Sequence, residues 1–153
     1  MEYRITAKGI LHENDKILFV EYEFNNDLFY SLPGGEQKIG ESLKECVRRE
    51  FAEEAKIDII VDKLIFVNEF IDKDNKLVPK WQNGIHQIEN IFLVRRAENS
   101  TLIYSEKKDS GMAGLKWFSQ KELAKVNYYP KIKSDWFFKL TYSDLSYKIN
   151  KNL

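Results

Sequence analysis

Three glutamates, Glu50, Glu53 and Glu54, stand three and four residues apart inside the stretch LPGGEQKIGESLKECVRREFAEEAKI, from Leu32 to Ile57. Such spacings place side chains on one side of a helix. Carboxylates crowded there repel one another, and a divalent cation is the simplest neutraliser. A hard cation such as Mg²⁺ takes oxygen ligands and keeps waters that a phosphate substrate can replace. Ahead of the acids, Gly34 and Gly35 permit close backbone approach. A loop of that kind can present amide N–H groups to anionic oxygen, or a carbonyl to a metal.

A charged helix surface facing water is the plainer account of these acids, and the helical wheel tests it. At about 100° per residue, Leu43 and Val47 fall within roughly 40° of one another. Glu50 and Glu54 share their sector and Glu53 lies at its edge, whereas Lys44, Arg48 and Ala52 point the other way. The acids thus continue the core-facing side of the helix. Inward carboxylates are costly unless paired, protonated or bound to a metal. Arg49 can reach Glu53 across one turn, which leaves too few local cations for all three acids. Cys46 on the same helix reads as core packing.

The elements that must position these residues follow from pattern. Tyr3–Leu11 and Lys16–Tyr22 read as strands joined at His12-Glu13-Asn14-Asp15. Asn25-Asn26-Asp27 is a second turn, Leu28–Leu32 a short strand, and Pro33-Gly34-Gly35 its stop. The helix is expected over Ser42–Ala55, opened by a capping box of Ser42 and Glu45. Ile57–Ile71 reads as one or two strands broken at Asp62-Lys63, and Asp72-Lys73-Asp74-Asn75 as a turn. Ile88–Val94 and Gly114–Phe118 are further strands, and Ser119 with Glu122 caps a short helix. Trp136, Phe137, Leu140 and Leu145 suggest an amphipathic C-terminal helix. Strands flanking one helix, with more helix at the end, imply a mixed α/β sandwich.

Bulk properties narrow the class. The chain has 153 residues, 43% apolar and 14% aromatic, which suits one globular domain spanning 1–153. Lys+Arg and Asp+Glu are both 24, so the formal net charge is zero. That argues against broad adhesion to nucleic acid or anionic membrane. The lone Cys46 excludes an internal disulfide and is compatible with a reducing compartment. The first residues show no secretory h-region, and no apolar run approaches the roughly 20 residues that span a bilayer. A soluble cytoplasmic protein is the expectation. Asp72-Lys73-Asp74 opens like a calcium-binding loop, but Leu77 and Asn83 stand where that loop requires Gly and Glu.

The motif resembles that of the Nudix hydrolase (MutT-like) family. Gly35 begins it, Glu41 follows, then Arg49-Glu50, Phe51 at the apolar position, the pair Glu53-Glu54, and Ile57 at the end. One position departs: Lys56 stands where the family has a Gly that ends the helix with positive φ. The resemblance implies an α/β/α sandwich with a mixed sheet, a catalytic loop-helix-loop and a C-terminal helix. It implies hydrolysis of a diphosphate bond in a nucleoside diphosphate linked to another moiety. By carry-over, Glu50, Glu53 and Glu54 look like Mg²⁺ ligands, with Mn²⁺ as a substitute and the Gly34 carbonyl as an addition. Arg49 looks like the residue that orients the acids, and Glu41 like its partner. Glu54 and Glu89 are the candidate bases; Glu89 is a charge in an apolar strand, and a solvent-facing edge is its plainer reading.

Substrate contacts extend beyond the motif. Arg4 is a candidate for a phosphate, His86 for a hydrogen bond, and Gly34 and Gly35 for backbone contacts. Tyr3, Phe29, Tyr30, Trp81 and Tyr128 are candidates for stacking on a base, and Lys107-Lys108-Asp109-Ser110-Gly111 for a covering loop. A nucleotide sugar, ADP-ribose or a nucleoside triphosphate all suit such a site. An RNA 5′-end pyrophosphohydrolase and a catalytically silent nucleotide sensor are the alternatives. A homodimer stays open.

Overall fold

The computed structural model describes residues 1–73, 84–98, 100, 112–139 and 149–152. Asp74, Asn75, Leu77, Trp81, Asn83, Leu140, Leu145 and the 107–111 segment lie outside them. Strand β1 (Glu2–Glu13) turns into β2 (Lys16–Phe24) through Asn14 and Asp15, with φ of 49° and 58°. Asn25 and Asn26, with φ of 50° and 67°, turn β2 into β3 (Asp27–Ser31). Asn and Asp tolerate this left-handed region better than other side chains, which makes both turns readable in advance.

Pro33-Gly34-Gly35, expected as a stop, instead leads into a short strand. Gly34–Glu36 forms β4 and pairs antiparallel with β1, Lys8 opposite Gly34 and Thr6 opposite Glu36. The helix expected over Ser42–Ala55 is α-helical only over Leu43–Glu50 (α1) and continues as a π turn over Phe51–Ala55. Ser42 and Glu45 form the capping box as expected. Beyond it, β5 (Ile59–Asp72) is a single strand, and the expected break at Asp62-Lys63 is a register shift within it. Strand β6 (Ile85–Arg96) extends past both ends of the Ile88–Val94 run.

The remaining elements are β7 (Met112–Phe118), α2 (Gln120–Leu123), β8 (Tyr128–Tyr129), α3 (Ser134–Lys139) and β9 (Ile149–Asn152). Ser119 and Glu122 cap α2 reciprocally. Two of these, β8 and β9, have no counterpart in the sequence reading, and the C-terminal helix carries Trp136 and Phe137 within α3. The strands form a mixed, curled sheet in the order β8-β3-β2-β1-β6-β5-β9, with β4 against β1 and β7 against β2.

Both faces of the sheet are covered. Leu11, Leu18, Cys46, Val47, Phe51, Phe92 and Val94 pack on the α1 side. Ile10, Phe19, Ile91, Leu93, Leu123 and Phe137 pack on the side of α2 and α3. Neighbouring β6 residues alternate between the two cores, which explains its unbroken apolar run. Full burial of a side chain such as Phe51 stabilises by about 2 kcal/mol, so the site-bearing helix is anchored from its own middle.

Lys56 adopts φ 57° and ψ 32°, and its N–H bonds the Phe51 carbonyl to close the π turn. The left-handed conformation that favours glycine is therefore present with lysine in it, and Lys56 Nζ donates to the Glu53 carbonyl. Replacing Lys56 by Gly removes a left-handed penalty of about 1 kcal/mol and loses one exposed bond. Lys56→Gly is expected to raise the urea midpoint or leave it unchanged. A clear drop would assign the ammonium the larger share.

Candidate active site

Arg49 sits near the end of α1 and uses all five of its N–H groups. Nε and Nη2 fork onto the two Glu41 oxygens at 2.7 and 3.1 Å. Nη1 reaches Glu50 Oε1 at 2.7 Å and Glu53 Oε2 at 3.3 Å, and Nη2 also reaches the Glu36 carbonyl at 3.0 Å. Glu41, Glu50 and Glu53 each form an ion pair with Arg49. Its hydrogen bond holds the Glu41 carboxyl down at about 2, helped by the Lys38 N–H. The same bond pushes the Arg49 guanidinium above its ordinary range. Arg48 faces away, pairing with Asp58 at 3.6 Å.

The acids divide as the wheel expects. Glu50 and Glu54 are buried, and Glu53 is exposed. Glu50 lies against Gly35, where an added Cβ would stand 2.4 Å from its Oε1. Glu54 accepts from the Gly34 N–H at 2.8 Å and from the Tyr22 hydroxyl at 3.2 Å. Gly34, at φ 144°, approaches β1 so closely that an added Cβ would stand 2.2 Å from the Ala7 carbonyl oxygen. Gly34 is therefore required by a backbone contact and its φ, whereas a side chain at Gly35 would displace the Glu50 carboxylate. Cys46 is buried, and burial with the nearby Glu41 charge pushes its thiol up to about 12, in keeping with packing.

Glu89 is neither an edge nor a solvent-facing residue. It is buried on β6, between β1 and β5. Asn68 Nδ2 donates to its Oε2 at 2.7 Å, Gln87 Nε2 to its Oε1 at 2.8 Å, and Lys8 Nζ lies 3.4 Å from Oε1. Lys8 also donates to Ser31 Oγ at 2.6 Å. Thr6 of β1 stands between Glu36 and Glu89 in register, so one strand separates Glu89 from the glycine strand. Sequence reading missed Lys8, Asn68, Gln87 and Tyr22. For Asn68 and Gln87 the same signal existed as for Glu89, a polar residue in an apolar strand; nothing local marks Tyr22.

The other candidates are spread more widely. Arg4 pairs with Glu36 at 3.1 Å, next to the glycines, and with Glu2 at 3.6 Å. His86 Nε2 meets Glu69 Oε1 at 2.8 Å, with Tyr3 edge-on to its ring. Phe29 is stacked on Tyr22 and on Phe24. Tyr30 and Tyr128 belong to the α2–α3 core, and burial with the Glu21 hydrogen bond raises the Tyr30 hydroxyl to about 12.

The donor set suits a hard cation in kind, since it is all carboxylate and backbone oxygen. Among the described residues no three acidic, His or Cys side chains converge on one point. Binding a cation would therefore draw Glu50 and Glu53 partly away from Arg49. The family described as NUDIX domain matches residues 2–139. The chain belongs to the Nudix family.

Solved structures share this Nudix fold. An ADP-ribose pyrophosphatase from Streptococcus suis matches with a TM-score of 0.67 at 18% identity, over 96% of this chain and 98% of that one. A MutT Nudix hydrolase from Burkholderia pseudomallei matches with a TM-score of 0.64 at 18% identity, over 92% and 100%. A UDP-X diphosphatase matches at 0.60 and 18%, over 90% of this chain and 62% of that one. Comparison with curated protein sequences gives no match. The Nudix chain is an enzyme of the pyrophosphohydrolase kind. No helix among the described residues is long and apolar enough to cross a membrane.

Two outcomes follow from the contacts of the site. Gly35→Ala should displace Glu50 and cut turnover while the chain still folds, whereas Gly34→Ala, strained at φ 144°, should lower the melting midpoint outright; circular dichroism and turnover separate the two. Glu41, lowered from 4.5 to about 2, contributes stability that is complete above about pH 4.5 and is lost as pH falls through about 2. The stability gap between wild type and Glu41→Gln should therefore be constant near neutrality and close between those two values, read by urea midpoints across pH.

Proposed function

We propose that this Nudix enzyme hydrolyses the diphosphate bond of a nucleoside diphosphate linked to another moiety, with Mg²⁺ as its cation and Mn²⁺ as a substitute. The observation that carries the reading is the packing of Glu50 and Glu54 against Gly34 and Gly35, with Glu53 tied to Glu50 through Arg49. Glu50, Glu53, Glu54 and the Gly34 carbonyl would hold the cation. When bound, it neutralises the diphosphate oxygens and makes a nearby water more acidic.

The chain's own residues supply the rest. Arg49 orients the acids and Glu41 fixes Arg49. Gly34 and Gly35 would contact the phosphates through their backbone, with Arg4, which pairs with Glu36, and His86 of β6 as the further substrate contacts. Glu54 and Glu89 are the candidate bases, and each already accepts hydrogen bonds at both oxygens. Each oxygen keeps a second lone pair, so either carboxylate can take a proton while those bonds hold it in place. Residues 1–153 are taken as one such domain, acting on a small nucleotide-type substrate. The lone buried Cys46 suits the reducing cytoplasm.

The test is turnover with Mg²⁺ across nucleoside diphosphate sugars, ADP-ribose, dinucleoside polyphosphates, nucleoside triphosphates and 5′-triphosphorylated RNA. Glu54→Gln should lower turnover of the accepted class by about two orders of magnitude with the fold intact. Unchanged turnover in Glu54→Gln at saturating Mg²⁺ would overturn the assignment. Nucleotide binding without turnover of any class would point to a sensor.

A further inference from the structure

The Tyr22 hydroxyl donates to Glu54 Oε2 at 3.2 Å while the Gly34 N–H donates to Oε1 at 2.8 Å. Tyr22 lies on β2, outside the acidic motif. With one donor on each oxygen, the plane of the carboxylate is fixed from both ends. A buried carboxylate placed this way keeps one orientation without needing a ligand to impose it.

Two backbone irregularities meet at this bond. The pairing of β2 with β7 shifts register between Glu21 and Tyr22. Such bulges bend a strand and re-aim a side chain. On the helical side, Glu54 lies in the π turn over Phe51–Ala55. Isolated π turns are rare and interrupt the regular hydrogen-bond ladder. Each irregularity is unfavourable relative to the regular element that surrounds it. Together they bring a strand hydroxyl and a helix carboxylate within hydrogen-bond reach.

The ring of Tyr22 is held as firmly as its hydroxyl. It stacks on Phe29 with centroids 5.2 Å apart and planes at 14°. Phe29 in turn stacks on Phe24 at 5.6 Å and meets the edge of Tyr129 at 5.9 Å. Aromatic pairs of this kind stabilise beyond their burial. The ladder therefore stops Tyr22 from swinging away, and the hydroxyl stays aimed at Glu54.

We propose that Tyr22 is a positioning residue for the divalent cation, acting through Glu54 and held by the Tyr22–Phe29–Phe24 ladder. This rests on the cation reading above. Tyr22→Phe keeps the stack and removes only the hydroxyl, while Tyr22→Leu removes both.

The experiment is Mn²⁺ binding to the substrate-free protein, followed by the electron paramagnetic resonance of free Mn²⁺. Wild type, both Tyr22 variants and Glu54→Gln are compared, with thermal midpoints measured alongside. Tyr22→Phe should weaken Mn²⁺ binding about tenfold at a nearly unchanged thermal midpoint. Its turnover should recover at high cation, with KM for substrate unchanged. Tyr22→Leu should show the same loss of binding and a lower midpoint. Wild-type Mn²⁺ affinity in Tyr22→Phe overturns the proposal, including the case where only Tyr22→Leu is weakened, since the ring and not the hydroxyl then matters. If Glu54→Gln binds Mn²⁺ as tightly as wild type, or wild type binds none, the cation reading falls and the role of Tyr22 with it.

Discussion

Carboxylates ionised side by side are the constraint around which this site is built, and Arg49 is the group that makes their crowding tolerable. Its planar fork addresses Glu41 with two N–H groups while the other three reach Glu50, Glu53 and the Glu36 carbonyl. A lysine offers a compact charge and three donors without that geometry, and would not span these acceptors. The lowered Glu41 carboxyl and the raised Arg49 guanidinium express one bond from its two sides. Because Glu36 ends β4 and Arg49 ends a turn of α1, the same guanidinium ties the glycine strand to the acidic helix.

Strand β1 gives that pair its place in the molecule. One edge receives β4 and the other receives β6 over ten register positions, from Glu2 opposite Ile85 to Leu11 opposite Val94. The spacing between Gly35 and the buried Glu89 network is thus set by sheet pairing, with no loop involved. Lys8 crosses that spacing, bonded to Ser31 on β3 and paired with Glu89 on β6. A buried carboxylate with three donors around it is strongly specified, because removing any one leaves the others poorly satisfied.

What the sequence made legible was local. The acidic spacing, both capping boxes and the Asn/Asp turns depend on residues within four positions of one another, and the structure reproduces them. What it hid was pairing between distant segments. Gly34-Gly35 reads as a stop because glycine disfavours strands, yet the open edge of β1 makes a strand of it. Glu89 reads as an edge charge because nothing local says that β6 is flanked by β1 and β5. Tyr128-Tyr129 is too short to show a period, and becomes β8 only through pairing with Tyr30 and Ser31 of β3.

The helical wheel reached the right burial for the acids although the helix does not keep its period through them. Glu50 closes the α-helical part, and the π turn carries Glu53 and Glu54 with hydrogen bonds five residues back. The turn is bracketed by buried Phe51, Ala55 and Ile57, the apolar contacts that hold it in place. Their burial contributes about 2 kcal/mol for each large side chain, against about 1 kcal/mol for the left-handed Lys56 that closes the turn. Core packing on either side of Glu54 therefore outweighs the strain between. The orientation of the Glu54 carboxylate is a property of the adjacent core as much as of its own hydrogen bonds.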